Sequence, residues 1–146
     1  MKQPVYLLLI FFCFPFCLQA QENDSLKLLC PLNEILKPPA EQKSYSIGAE
    51  DMKAAWICKT DTIVKACISG VVTTILHDAD GKWEVMFSHE GYSFWYSGIN
   101  RTIVVKGQKI QNGEAMGYMK KGDKMELQMY DEETSLDPKN YLNCGN

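Results

Sequence analysis

The stretch KMELQMYDEE, residues 124–133, reads as a β-strand. Met125, Leu127 and Met129 alternate with Glu126, Gln128 and Tyr130. A period of two puts the first three on one face and the second three on the other. Glu126 and Gln128 therefore stand side by side on the polar face. Two such residues, two apart on a strand, are spaced to hold one metal ion between them. The pair marks a metal site, the remains of one, or an ordinary solvated face.

The same β pattern extends outward from this strand. TIVKACI (62–68) and VVTTILH (71–77) are β-branched and separated by Gly70. DADG (78–81) is a tight-turn signal, and KWEVMFS (82–88) completes a hairpin. GYSFWYSG (91–98) follows a turn at Glu90-Gly91, and VVKGQKIQNGEAMGYM (104–119) is cut by Gly107, Gly113 and Gly117. Short strands with frequent glycine turns predict a mainly β domain, a compact sandwich or open barrel. Asp137 is placed to cap a short helical turn with Pro138 in its first position. Residues 51–60 read equally as helix or strand. Residues 21–50, with three prolines in CPLNEILKPPAEQKS, predict an irregular N-terminal arm over a domain spanning 51–146.

Lys2, an apolar run and Ala20 describe a secretory signal peptide over residues 1–20, cleaved after Ala20. The run is short for a membrane anchor and carries Pro4 and Pro15. Cys13 and Cys17 lack the preceding residues of a lipoprotein site. The mature form is then secreted, periplasmic or held in the cell envelope, with no membrane span. The net charge is −3, with charges of both signs scattered along the chain, which argues against a nucleic-acid partner.

Past the leader stand Cys30, Cys58, Cys67 and Cys144. An even count in an exported chain suggests two disulfides, with three pairings open. Cys58 and Cys67 flank a short stretch that they would staple as a local loop, and Cys30–Cys144 would then join the two ends. No Cys-x-x-Cys pair supports a zinc knuckle. Among the aromatics, Trp83 alternates with Val85 and Phe87 and is expected in the core. Phe94 and Tyr96 share a face and Trp95 takes the other. Tyr96 and Tyr130 are candidates for lining a groove, Tyr130 because it shares the face of Glu126. Ser88 and His89 are neighbours on a strand, so they point to opposite faces and make no triad.

The order of TIVKACISGVV, WEVMFSHEGYSFWYSGI, VVKGQKIQNGEAMG and ELQMY…LDPKNYL resembles the lysostaphin-like (LytM) zinc endopeptidases, which cut peptidoglycan cross-bridges. The resemblance covers about residues 50–142 and implies a compact LytM-like β-sheet domain. That family holds zinc with a His-x-x-x-Asp pair and the second His of His-x-His. The first His of His-x-His and the His of Tyr-x-His-Leu assist the attacking water. Zinc lowers the pKa of its bound water so that hydroxide is available near neutrality. Aligned on Val64 and Ala66, Asp51 and Ala55 fall on the first pair, Gly98 on the Tyr-x-His position, and Glu126 and Gln128 on His-x-His. All five are changed, and the chain has two histidines, His77 and His89, where the family site uses four. The resemblance thus implies a pseudopeptidase without zinc or catalytic residues. It would bind cell-wall peptide or a partner such as a cell-wall hydrolase through the old groove, around Tyr96, Glu126 and Tyr130. The alternatives are a peptidoglycan endopeptidase with a rebuilt metal site and a disulfide-stapled structural envelope protein. IVKACISGVV and VVKGQKIQNGEAMG also resemble biotinyl and lipoyl carrier domains, but no lysine stands at the expected hairpin tip.

Overall fold

The computed structural model describes residues 26–33, 35–36, 52–60 and 62–144. The signal-peptide expectation, Asp51 and much of the arm lie outside these residues. In chain order the strands are β1 (Leu28–Leu29), β2 (Ile35–Leu36), β3 (Lys53–Cys58), β4 (Thr62–Lys65), β5 (Gly70–His77), β6 (Trp83–His89) and β7 (Tyr92–Ile99). They continue as β8 (Arg101–Thr102), β9 (Lys109–Ile110), β10 (Ala115–Met119), β11 (Lys124–Asp131), β12 (Thr134–Leu136) and β13 (Leu142–Asn143). A 3-10 turn at Pro138–Asn140 is capped as expected, with the Asp137 side chain accepting the Lys139 N–H. Among the described residues no helix is long and apolar enough to cross a membrane.

The large sheet runs β2-β3-β11-β7-β6-β5-β9, with β12 also paired to β11. A small sheet runs β4-β10-β8, and β1 and β13 form a parallel pair. The domain is mainly β, as its sequence pattern requires. The ambiguous segment at 51–60 becomes β3 because β11 accepts it as an antiparallel neighbour, Met125 opposite Trp56. Its Ala54, Trp56 and Cys58 are buried while Lys53, Ala55 and Ile57 are half-buried, so the period is two.

One face of the large sheet supplies most of the core: Val85, Phe87, Phe94, Tyr96, Met125, Leu127 and Met129 are all fully buried. Phe87 stacks on Phe94 with ring centres 5.0 Å apart and tilts against Tyr96 at 5.6 Å. Val64, Met116 and Met119 from the small sheet join the same cluster. Trp83 packs against it half-buried, its ring edge meeting His77 at 4.6 Å. The DADG turn forms through the Asp78 carboxylate, which accepts the N–H groups of Asp80 and Lys82.

The described residues of the arm include two short strands. β1 and β2 pair with β13 and β3, and Leu28 and Leu32 are buried in the core. The Cys30–Cys144 disulfide is present, with Cα atoms 4.7 Å apart. The Cys58–Cys67 pairing is corrected: both are free, buried thiols. The stretch between them is not a local loop. It leaves the large sheet at Cys58, forms β4 in the small sheet, and only then reaches Cys67. The Cys58 backbone is bonded to Gly122 and Asp123, and that of Cys67 to Leu29 and the Tyr96 hydroxyl.

Candidate functional site on the open face of the large sheet

The outer face of β11 presents Glu126, Gln128 and Tyr130, all half-buried. Antiparallel register sets their neighbours. Glu126 lies between Ala55 of β3 and Ser97 of β7, and Gln128 between Lys53 and Trp95. Ala55, Glu126 and Gln128 therefore share one patch, and Gly98 follows Ser97 at its edge. Asp51, the fifth position, lies outside the described residues.

Glu126 is the electrostatic centre of the patch. Its Oε1 lies 2.7 Å from Lys124 Nζ and 3.2 Å from Lys53 Nζ, and Lys53 also reaches Oε2 at 3.2 Å. Burial by itself would raise this carboxyl. The hydrogen bonds and charges of Lys124 and Lys53 outweigh it and hold Glu126 below the ordinary glutamate range. Beside it, Trp95 Nε1 donates to Glu84 Oε2 at 3.1 Å, which fixes the indole against the face.

At the end of the patch, Gly98 has φ +86°, and a Cβ there would meet the Lys124 carbonyl oxygen at 2.4 Å. The strands approach so closely that the position accepts no side chain without a backbone shift. Lys82 and Asn100 converge nearby on Asp123, Asn100 Nδ2 lying 2.6 Å from Asp123 Oδ2. Hydrogen bonds from Lys82 and then Asn100 are the main cause that holds this carboxyl below its usual range.

These described residues do not fit a zinc ion. Zinc takes three protein ligands and leaves a position for water. Ala55 and Gly98 have no donor, an amide such as Gln128 is a poor zinc ligand, and both Glu126 oxygens face ammonium groups. Among the described residues no three His, Cys, Asp or Glu side chains are grouped to hold a metal. His77 is engaged with Trp83, and His89 lies by the β6–β7 turn, 3.7 Å from Glu90.

Tyr130 keeps its expected place on the Glu126 face. Tyr96 does not line a groove, and that expectation is corrected. It is fully buried, its hydroxyl accepting the Cys67 N–H at 2.9 Å and lying 3.4 Å from the Lys65 carbonyl. The period-two pattern that pairs it with Phe94 already points it inward. The lysine clamp on Glu126 escaped sequence reasoning in part. Lys124 shares the face of Glu126 by simple alternation, but Lys53 is 73 positions away and reaches it only through the β3–β11 register.

The model of peptidase family M23 matches residues 54–138, a span that contains all four described positions of the patch. Among solved structures the fold is similar to Helicobacter pylori Csd3, at 15% identity and TM-score 0.65, over 82% of this chain and 36% of that one. It is also similar to a chain of the SpoIIQ–SpoIIIAH pore forming complex, at 17% identity and TM-score 0.61, over 81% of this chain and 92% of that one. Lysostaphin in solution matches at 16% identity and TM-score 0.59, over 78% of this chain and 54% of that one. The chain thus spans about a third of Csd3 and about half of lysostaphin. At these identities the likeness is one of fold. No curated protein matches the chain.

Proposed function

The chain belongs to peptidase family M23, and from that premise we propose that it is an exported, non-catalytic member that binds cell-wall peptide through the open face around Glu126. The observation that carries this reading is the lysine clamp. Where the family resemblance places the first His of His-x-His, which assists the attacking water, Glu126 is held by Lys53 and Lys124. A carboxylate so paired is a structural ion pair and a recognition element rather than a metal ligand. The same face offers what peptide binding needs: a fixed indole at Trp95, a phenol at Tyr130, and polar groups at Gln128, Ser93 and Ser97. A protein partner is the second reading, supported by the likeness to a chain of a pore forming complex.

Three measurements test the proposal together: elemental analysis for zinc, hydrolysis of peptidoglycan peptides, and calorimetric titration with muropeptides. The expected result is no stoichiometric zinc, no cleavage, and binding that weakens at least about fivefold, or about 1 kcal/mol, in Glu126→Ala or Tyr130→Ala. One equivalent of zinc, with cleavage abolished by a chelator, would replace this reading with an active endopeptidase. No zinc and no muropeptide binding would turn the search to protein partners.

A further inference from the structure

A second groove, of about 780 Å³, opens beside the small sheet, where β7 ends and β10 runs toward β11. Its walls include Asn33, Ile63, Asn100, Arg101, Tyr118 and Lys120. The chain as a whole is acidic, at net charge −3, yet this lining holds Arg101 and Lys120 and no Asp or Glu. Asp123, behind Asn100, is engaged by Lys82.

Arg101 is the only arginine in the sequence. Its guanidinium carbon lies 4.4 Å from the centre of the Tyr118 ring. Among the described residues no carboxylate pairs with it. The Tyr118 ring holds the guanidinium by a cation–π contact on one side. The N–H edges then remain for a planar acceptor, and a carboxylate meets such an edge with two parallel hydrogen bonds. Asn100 organises the surroundings: its Oδ1 accepts the Lys120 N–H at 2.8 Å, which ties the loop bearing the second cation to the end of β7. Ile63, 41% exposed, adds an apolar wall.

We propose that this groove is a carboxylate-binding subsite for the terminus of a cell-wall peptide. Arg101 takes the carboxylate edge-on, Lys120 adds charge, and Tyr118 and Ile63 pack the residue that bears it. In sequence the groove residues lie near the strands of the open face: Asn100 follows Gly98 by two residues, and Lys120 precedes Lys124 by four. The choice of peptide rests on the function proposed above, while the recognition chemistry rests on Arg101 and Tyr118.

The test is an NMR titration of the full chain with a muropeptide bearing a free C-terminal carboxylate and with the same muropeptide amidated there. With the acid, the Arg101 Nε–H and Tyr118 ring signals should shift, and the amide should bind at least tenfold more weakly. Arg101→Lys keeps the charge but loses the paired edge, and should cost at least fivefold. If that variant folds poorly, the acid-against-amide comparison in the unaltered chain decides alone. Equal affinity for acid and amide, or an unaltered affinity in folded Arg101→Lys, would overturn the subsite. Shifts confined to the Glu126 face would overturn the subsite and leave the function proposed above standing. Shifts confined to the Arg101 groove would support the subsite and remove the open face as the binding surface. No binding of either peptide would overturn both.

Discussion

The Tyr96 hydroxyl is committed to the backbone: it accepts the Cys67 N–H and lies against the Lys65 carbonyl, with the ring fully buried among phenylalanines. Tyr96→Phe keeps the ring and removes the acceptor, leaving a buried N–H unpaired at a cost of about 1–3 kcal/mol. Urea denaturation should read that loss, and muropeptide affinity should stay unchanged, because the side chain faces away from the open face. Cys67 shares this environment. Burial pushes its thiol up to about 12, against the smaller opposing effect of the Tyr96 hydrogen bond, so it stays protonated and unreactive. Gly98 carries the opposite constraint, since its φ of +86° and the nearby Lys124 carbonyl leave no room for a Cβ. Gly98→Ala should cost about 1–3 kcal/mol from backbone conformation alone, with the steric contact adding to it. Calorimetric melting would show this, and a Gly98 variant as stable as the parent would contradict the geometry described. Gly98→His should suffer the same penalty, so the family's histidine is not restored there by one substitution.

At the scale of the elements, the two-residue strands β1 and β13 are too short to hold by themselves. Leu28 pairs with Leu142, the Leu28 N–H bonds the Tyr141 carbonyl at 2.9 Å, and the Cys30–Cys144 bridge closes the pair beside them. The bridge joins positions 114 apart, so it removes much freedom from the unfolded chain. Cys30→Ser with Cys144→Ser should lower stability by roughly 3–5 kcal/mol. Hydrogen exchange should report it first at Leu28, while the amides of β11 and β7 keep their protection relative to the global transition. Titration of thiols in the unreduced, denatured parent should find Cys58 and Cys67 free, and four non-titrating cysteines would restore the second bridge. The hairpins and the β11 alternation were legible from residues 62–131 because each depends on neighbours in sequence. β3 was not, since KAAWIC satisfies either period until β11 offers it an edge.

For the whole molecule, Glu126 and Asp123 couple stability to pH in the same direction. Both are depressed in the folded state, Glu126 by the lysine clamp acting against burial, and Asp123 mainly by its bonds to Lys82 and Asn100. A folded pKa below the unfolded one means protons bind the unfolded chain more readily. The stabilisation is therefore complete above the ordinary values of 4.5 and 3.8 and is lost as pH falls below them through the folded values. Melting temperatures should begin to fall below about pH 4.5, and Glu126→Gln should remove part of that slope. An unchanged slope in Glu126→Gln would mean that the clamp contributes nothing. The sequence by itself determined the mainly β class, the turns, the inward Met125-Leu127-Met129 face and the outward Glu126-Gln128-Tyr130 face, because alternation and turn chemistry are local properties of the chain. Only the tertiary structure decided that Lys53 meets Glu126, that the chain crosses to the small sheet between Cys58 and Cys67, and that Arg101 lies over Tyr118. Those contacts depend on register and on which strand lies beside which, and these are set by packing the whole core at once.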